Sequence, residues 1–263
     1  MEHKTIETQR GQLSYWVDGH RIRPRLLFLH GALMDHRMFY QQVTYFRDNY
    51  RIIIPDLPAH GRSRPYQDFS FSNTVDDLNL ILEQEKVRHC HVIGHSMGGY
   101  IAQEFYRQDP GIVNSLTCIS SAPLGGKYYS KLDQWLLKMT PKLLRFYSMS
   151  RLIQDIVKRD TITPSSAQYT RDTLQQYTQQ EVIQMMEIIA RDLHFEEEVE
   201  IACPLLIMVG DSDTAGKVHS YSRQWAQDSG GDFRSVPLAA HMVNVDNPGS
   251  FNLILHQWLK SIH

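Results

Sequence analysis

Short apolar runs alternate along this chain with longer amphipathic stretches. Runs such as Ile52-Ile53-Ile54 have no polar residue on either face, so we expect helices to cover both sides of these strands. An alternation of this kind is typical of βα units built around a largely parallel sheet. It therefore predicts an α/β fold with a doubly wound, mostly parallel sheet. The expected strands are residues 13–17, 25–30, 50–56, 90–95, 115–120, 204–210 and 232–238.

The stretches between the strands have apolar residues at helical spacing. They predict helices at residues 74–86, with Asn73 as the cap, at 97–110 and at 248–263. The first strand is followed by Asp-Gly-His, and we interpret it as one half of an antiparallel hairpin at an edge of the sheet.

The alternation of strand and helix fails once, after Pro123. Because no strand interrupts the helix-like stretches that follow, we predict that residues 123–199 form a helical cap, inserted into a core of residues 1–122 and 200–263. The helices expected in this insertion are residues 130–139, 141–159, 164–177 and 179–192.

Composition excludes several classes of protein. The net charge is −2 with both signs mixed along the chain, which gives no electrostatic reason to expect nucleic acid or a membrane as partner. No segment approaches ~18 consecutive apolar residues, and Cys90, Cys118 and Cys203 have no disulfide or metal spacing. We therefore expect a cytoplasmic protein with reduced thiols, no metal and no cofactor. The oligomeric state is not predicted.

The stretch Gly94-His95-Ser96-Met97-Gly98 joins a predicted strand to a predicted helix. A Gly-x-Ser-x-Gly pentapeptide alone is weak evidence, but this strand–turn–helix setting is the one that a nucleophile elbow requires. Small neighbours allow the strained turn, which exposes the serine hydroxyl at the carboxyl end of the sheet, near the positive end of a helix. The pattern favours Ser96 as a nucleophile.

A serine hydroxyl needs a base to remove its proton and an acid to orient that base. In a doubly wound sheet both should come from loops at the carboxyl ends of later strands. His241 follows the last predicted strand, and Asp211 and Asp213 both follow strand 204–210. The residues alone leave open which aspartate is the acid.

Five stretches together resemble the α/β-hydrolase family, in its capped, esterase-like branch. They are His-Gly-Ala-Leu at 30–33, PDLPAHGRS at 55–63, GHSMGG at 94–99, GDSD at 210–213 and AHMVNVDNPGSFN at 240–252. The resemblance implies Ser96 as nucleophile, His241 as general base and Asp213 as acid, because the family places its acid three residues after the glycine. The chain departs from the family pattern at Ala240, where glycine is usual, and in the acid loop, which lacks the usual proline.

The resemblance also implies an oxyanion hole made of backbone amides. One donor is the amide of Met97, directly after the nucleophile, and the other is that of Ala32, with Leu33 as the alternative. Apolar side chains of the cap are expected to form the wall of a pocket for a small hydrophobic acyl or aromatic group. The side chains expected in this pocket are Leu33, Trp135, Met139, Phe146 and Met242.

These observations predict a cofactor-independent serine hydrolase that cleaves a small, hydrophobic carboxylic ester through an acyl-serine intermediate. The same triad would also serve C–C bond, lactone or thioester hydrolysis, and the sequence does not separate these reactions. A ligand-binding protein on a hydrolase scaffold is a hypothesis of another class. The complete set of Ser96, Asp213 and His241 argues against it, because a binding protein has no chemical need for all three.

Overall fold

Eight strands form one sheet in the computed structural model, which describes residues 1–262. Their order across the sheet is β1-β2-β4-β3-β5-β6-β7-β8, and only the pairs β1–β2 and β2–β4 are antiparallel. The strands are Glu2–Thr8 (β1), Gly11–Asp18 (β2), Arg25–Leu29 (β3), Arg51–Pro55 (β4), Cys90–His95 (β5), Val113–Ile119 (β6), Leu205–Gly210 (β7) and Asp232–Val236 (β8). The predicted α/β fold with a mostly parallel sheet is confirmed.

Ten α-helices and two short 3-10 helices connect the strands in the described part of the chain. The 3-10 helices are His36–Phe39 and Gly126–Tyr128. The α-helices are Tyr40–Phe46 (α1), Phe71–Gln84 (α2), Met97–Gln108 (α3), Lys131–Leu144 (α4), Met149–Asp160 (α5), Pro164–Leu174 (α6), Gln179–Asp192 (α7), Val218–Ser229 (α8), Val243–Asp246 (α9) and Pro248–Ser261 (α10). The end of the last predicted helix, at position 263, lies outside the described residues. None of the helices within residues 1–262 is both long enough and apolar enough to cross a membrane.

The predicted antiparallel hairpin at an edge of the sheet is confirmed, with β2 as its second half. Its first half is β1, which precedes β2. Strand β1 was not predicted from the sequence, because it lies at the edge of the sheet and has no apolar run. Its side chains are exposed or half-buried. The cap of α2 was also misplaced. Ser70 accepts a hydrogen bond from the Asn73 amide, and the Asn73 side chain instead donates to the Asp68 carbonyl.

The helices α4 to α7 follow one another between β6 and β7, at the position predicted for an insertion. We call them the inserted helices. Their boundaries differ from the prediction at Pro141, where the sequence indicated a new helix. Helix α4 instead continues through Pro141 to Leu144. Within a helix a proline removes one backbone hydrogen bond, and here its ring is buried.

The central strands lie in the core. Every residue of β4, β5 and β7 is buried, which agrees with runs that are apolar on both faces. Cys90 and Cys118 are buried, Cys203 is half-buried, and all three are free thiols. Strands β5, β7 and β8 are parallel members of one sheet, so their carboxyl ends open on the same edge and bring the loops after them together.

Candidate active site

Ser96 lies between the end of β5 and the start of α3. Its backbone has φ 50° and ψ −117°, a strained conformation for a residue with a side chain. The turn is possible because glycines flank it at close approaches. A Cβ atom on Gly94 would lie 2.2 Å from the Gly98 carbonyl oxygen, and one on Gly98 would lie 2.3 Å from the Leu29 oxygen. The glycine spacing thus allows strand, turn and helix to pack with the serine side chain held clear of all three.

The three side chains that the resemblance singled out form a continuous hydrogen-bonded line. Ser96 Oγ lies 3.1 Å from His241 Nε2, and His241 Nδ1 lies 3.0 Å from Asp213 Oδ2. An ionised carboxylate can only accept, so Nδ1 carries the proton and Nε2 is left to accept from the serine hydroxyl. Asp213 Oδ1 accepts from the Ala215 amide at 2.9 Å, which fixes the carboxylate in the loop after β7. This arrangement is able to remove the serine proton.

Electrostatics within the pair support the same assignment of charges. Burial raises the pKa of Asp213, but the hydrogen bond and charge of His241 outweigh burial and hold that pKa at about 2. Burial lowers the pKa of His241, but its hydrogen bond to Asp213 and the charge of that carboxylate raise it overall above its usual 6.5. The aspartate is therefore ionised at neutral pH, and the imidazole is a stronger base than a free histidine.

Asp211, the alternative acid, serves a different purpose. Its carboxylate lies on the exposed side of the loop and accepts hydrogen bonds from the Leu238 and Ala239 amides at 3.2 and 3.5 Å. It thereby joins the acid loop to the segment that carries His241. The structure places Asp213, and not Asp211, in contact with His241.

Other histidines near the site have structural partners. His95 Nε2 donates to the His241 carbonyl oxygen at 2.8 Å, and burial lowers the pKa of His95 to about 3, so this ring stays neutral. It therefore holds the backbone of the residue that contacts Ser96. His30 accepts from the Leu57 amide at 2.9 Å, and His60 donates to the Pro58 carbonyl. His30 and His60 therefore hold turns of the backbone.

Backbone amides lie free at the base of the site. The Met97 amide is the first of α3, and neither it nor the Ala32 amide has an acceptor among the residues that the structure describes. Both residues and Ser96 border the same cavity. Unsatisfied amides of this kind are suited to hold an oxygen that gains negative charge.

A cavity of about 690 Å³ opens above Ser96, between the sheet and the inserted helices. Leu33 and Met242 line it, as expected. Trp135, Met139 and Phe146 do not, which corrects the sequence-based pocket, and Trp135 and Phe146 are 56% and 88% exposed. The wall is formed by neighbouring faces of the same helices, with Leu136, Leu137, Leu144, Leu152, Ile156, Leu174, Val182, Met186 and Ile189.

Two charged residues in this cavity had no signal in the sequence. Arg159 donates to both carboxylate oxygens of Asp160 at 2.5 and 2.9 Å, at the end of α5. The Asp160 carbonyl accepts from the Met242 amide at 2.9 Å, so the pair sits beside His241. The Arg159 charge lowers the pKa of His241 and the Asp160 charge raises it. No group of three or more His, Cys, Asp or Glu within residues 1–262 is placed to hold a metal ion.

The fold and the hydrogen-bonded residues agree with one family of proteins. The model of the alpha/beta hydrolase fold matches residues 24–248, which include Ser96, Asp213 and His241. The chain belongs to the alpha/beta hydrolase fold family. The predicted resemblance is confirmed.

Similar proteins within this family differ in the substrate that their names give. The chain is 24% identical to 3-oxoadipate enol-lactonase 1 of Acinetobacter baylyi, over 98% of this chain and 97% of that protein. It is also 24% identical to the mouse (Mus musculus) sn-1-specific diacylglycerol lipase ABHD11, over 91% of this chain and 82% of that one. A thermophilic esterase from Thermogutta terrifontis superposes with a TM-score of 0.83 at 19% identity, over 100% of both chains. The names of these relatives give ester and lactone substrates for those proteins, and at these identities they leave the substrate of this chain open.

Proposed function

We propose that this chain is a serine hydrolase that cleaves a small, hydrophobic carboxylic ester through an acyl-Ser96 intermediate. The observation that carries the proposal is the unbroken line from Ser96 Oγ through His241 to Asp213, at 3.1 and 3.0 Å. A site of this geometry needs no cofactor for acyl transfer.

In the first half-reaction Ser96 Oγ attacks the carbonyl carbon of the ester, and its proton passes to His241 Nε2. The carbonyl oxygen becomes negative and accepts hydrogen bonds from the Ala32 and Met97 amides, each of which contributes about 3 kcal/mol of transition-state stabilisation. Asp213 stabilises the imidazolium that forms. The tetrahedral intermediate then expels the alkoxide, which takes the proton from Nε2 and leaves as an alcohol.

In the second half-reaction a water molecule attacks the acyl-enzyme, and His241 takes one of its protons. Collapse of the second tetrahedral intermediate breaks the bond to Ser96 Oγ, which recovers a proton from His241 Nε2. The acid product leaves and the site returns to its starting state.

The inserted helices are proposed to act as a cap that selects the substrate. They supply most of the apolar wall of the 690 Å³ cavity, and a volume of this order accommodates a small or medium acyl group. Leu33 and Met242 come from the core and lie at the base of the cavity. A hydrophobic acyl chain is therefore the expected occupant.

Labelling with a fluorophosphonate probe tests the proposal. We expect one adduct per chain at Ser96, located by peptide mass, and its loss in Ser96→Ala and His241→Ala. Ser150→Ala, which removes an exposed hydroxyl outside the cavity, is the matched control and should label normally. A folded protein that takes up no probe, or takes it up elsewhere, would contradict the proposal. A series of p-nitrophenyl esters of rising chain length would then measure the preferred acyl length.

Lactone opening is the second candidate, since a lactone is a cyclic ester and the relative from Acinetobacter baylyi, aligned over 98% of this chain, is an enol-lactonase. The same Ser96 would form a tethered acyl-enzyme whose alcohol stays attached to the acyl group. Comparing kcat/KM for a lactone and for the open-chain ester of equal carbon number separates the two candidates.

A further inference from the structure

Helix α4 and the turn after it expose an unusual number of large apolar side chains. Of the fourteen such side chains that are exposed among the described residues, six lie between positions 132 and 147. We call these six the outer face of α4. They are Leu132 (63% exposed), Trp135 (56%), Leu136 (46%), Leu143 (54%), Phe146 (88%) and Tyr147 (44%). A contiguous apolar surface of this extent marks an interaction site more often than a free protein surface.

Basic side chains run along one side of this outer face. Lys131, Lys138, Lys142 and Arg145 recur at intervals that keep them on one line of the helix, and all four are exposed or half-buried. The only acidic residue of the helix, Asp133, forms an ion pair at 2.7 Å with Lys217 of the core. The row of four cations is therefore not balanced by acids of the helix itself.

Within residues 1–262, only two of the four basic side chains have a partner outside α4. Lys138 lies over the ring of Phe195 at 5.5 Å, and Arg145 pairs with Glu187 at 3.4 Å. Both ends of the Arg145 pair are well exposed, so the pair is weak in water. Lys131 and Lys142 have no acidic partner among the residues that the structure describes. The row thus presents its charge to the solvent.

A third side of the same helix borders the cavity above Ser96. Leu137, Thr140 and Leu144 line that cavity, and Leu136 belongs both to the cavity wall and to the outer face. The outer face and the cavity wall therefore adjoin on this helix at Leu136.

We propose that the outer face of α4 binds the surface of anionic lipid assemblies and that the site takes ester-bearing amphiphiles from that surface. The second part rests on the proposed serine hydrolase activity. A helix with an apolar stripe and flanking cations is of the kind that lies in a lipid interface, where the cations contact phosphate groups. A second copy of this chain fits less well, because a symmetric contact through this face would bring the two basic rows together.

This proposal revises the expectation that a membrane is not a partner. That expectation used the net charge of −2, which averages over the whole chain. The charge of α4 differs in sign from that average, since the helix and its following turn contain four basic residues and one acidic residue.

Vesicle flotation tests the proposal with the full chain. We expect the protein to float with phosphatidylglycerol vesicles and to stay at the bottom with phosphatidylcholine vesicles. Lys131→Gln with Lys142→Gln should weaken binding about 25-fold, at roughly fivefold for each charge removed. Leu132→Ser with Leu143→Ser should weaken it about tenfold, and salt at about 1 M should abolish most of it.

Ile22→Ser and Lys260→Gln are the matched controls, since each removes an exposed side chain of the same type far along the chain from α4. Binding that is absent, equal on both lipids, or unchanged in the α4 variants would overturn the proposal. So would a wild-type dimer that becomes a monomer in the leucine variant, because a second copy would then cover this face.

The failure of this proposal and that of the proposed function are distinguishable. Ser96→Ala should float like the wild type, and the α4 variants should hydrolyse a short, water-soluble ester at the wild-type rate. Soluble ester hydrolysis without flotation would refute the lipid surface alone. Flotation without fluorophosphonate labelling would refute the hydrolase.

Discussion

Replacing Gly98 by alanine tests the packing of the nucleophile elbow directly. A Cβ atom at this position would lie 2.3 Å from the Leu29 oxygen and 2.6 Å from the His30 oxygen. Both obstructing atoms belong to the backbone at the end of β3, which is held in the sheet on both sides by β4 and β5. Because an ordinary contact needs about 3.4 Å or more, helix α3 must retreat by roughly 1 Å.

This displacement has a calculable effect on the reaction. Ser96 is joined to the start of α3, and its Oγ lies 3.1 Å from His241 Nε2. A retreat of roughly 1 Å lengthens that distance to roughly 4 Å, beyond hydrogen-bond reach. A misplacement of this size costs about 100-fold in rate. We therefore expect Gly98→Ala to lower both the rate of fluorophosphonate labelling and kcat/KM for a soluble ester by about 100-fold.

Gly111→Ala is the matched control, since a Cβ atom there meets nothing within 4 Å. Labelling rates and urea unfolding midpoints are measured for both variants. Gly98→Ala protein that labels at the rate of Gly111→Ala, with the same midpoint, would refute the steric argument. Should Gly98→Ala fail to fold, Gly99→Ala serves in its place. Its Cβ would meet the Ser121 side chain most closely, at 2.4 Å, so adding Ser121→Gly should restore the lost labelling rate.

Four further predictions concern single groups. Asp213→Asn should lower kcat for an ester by about 10⁴-fold through the wrong imidazole tautomer, whereas Asp211→Asn should cost less than about tenfold, as measured by steady-state kinetics. The acid limb of kcat/KM should have its midpoint above 6.5, because the neutral form of His241 acts as base and the pKa of His241 is raised. Arg159→Gln should move that midpoint to higher pH, since it removes a cation that disfavours the imidazolium; a downward shift would contradict the assignment. Burial raises the pKa of Cys90 to about 12, so iodoacetamide should leave it unmodified in the native protein and alkylate it in urea.

The sequence predicted the parallel sheet and the edge on which the site lies, because both follow from local patterns. Strands that are apolar on both faces must be central, and the residues that follow them must lie at one edge. Ser96 and His241 each follow a predicted strand of this sheet, so the order of strands and loops along the chain is enough to predict that they lie close together. The order of strands and loops does not decide between Asp211 and Asp213 as the acid. It depends on which way each carboxylate turns in an irregular loop, and only the family's spacing pointed to Asp213.

The substrate wall could not be predicted in the same way. Helix α4 is apolar on two adjoining sides, and composition does not say which of them turns inward. The structure turns Leu137 and Leu144 toward the cavity and leaves Trp135 and Phe146 outside. The place of the Arg159–Asp160 pair beside His241 could not be predicted from the sequence either. It depends on the position of α5, which is set by tertiary contacts.

The reacting residues could be predicted and the residues of the substrate wall could not, and this difference has a physical basis. The groups proposed to react follow β5, β7 and β8, and the hydrogen-bonded sheet leaves the ends of these strands little freedom to shift. The substrate wall lies mostly on the inserted helices, which contact the core through side chains and a few hydrogen bonds. Asp246 connects the two parts, since its carboxylate accepts from the Ala240 amide at 3.0 Å and from the Ile162 amide at 3.0 Å. A change in the inserted helices that leaves this Asp246 link in place can alter which acyl group fits while the distance from Ser96 to His241 stays the same. This is why the type of reaction follows from the core, whereas the substrate must be sought in the helices above it.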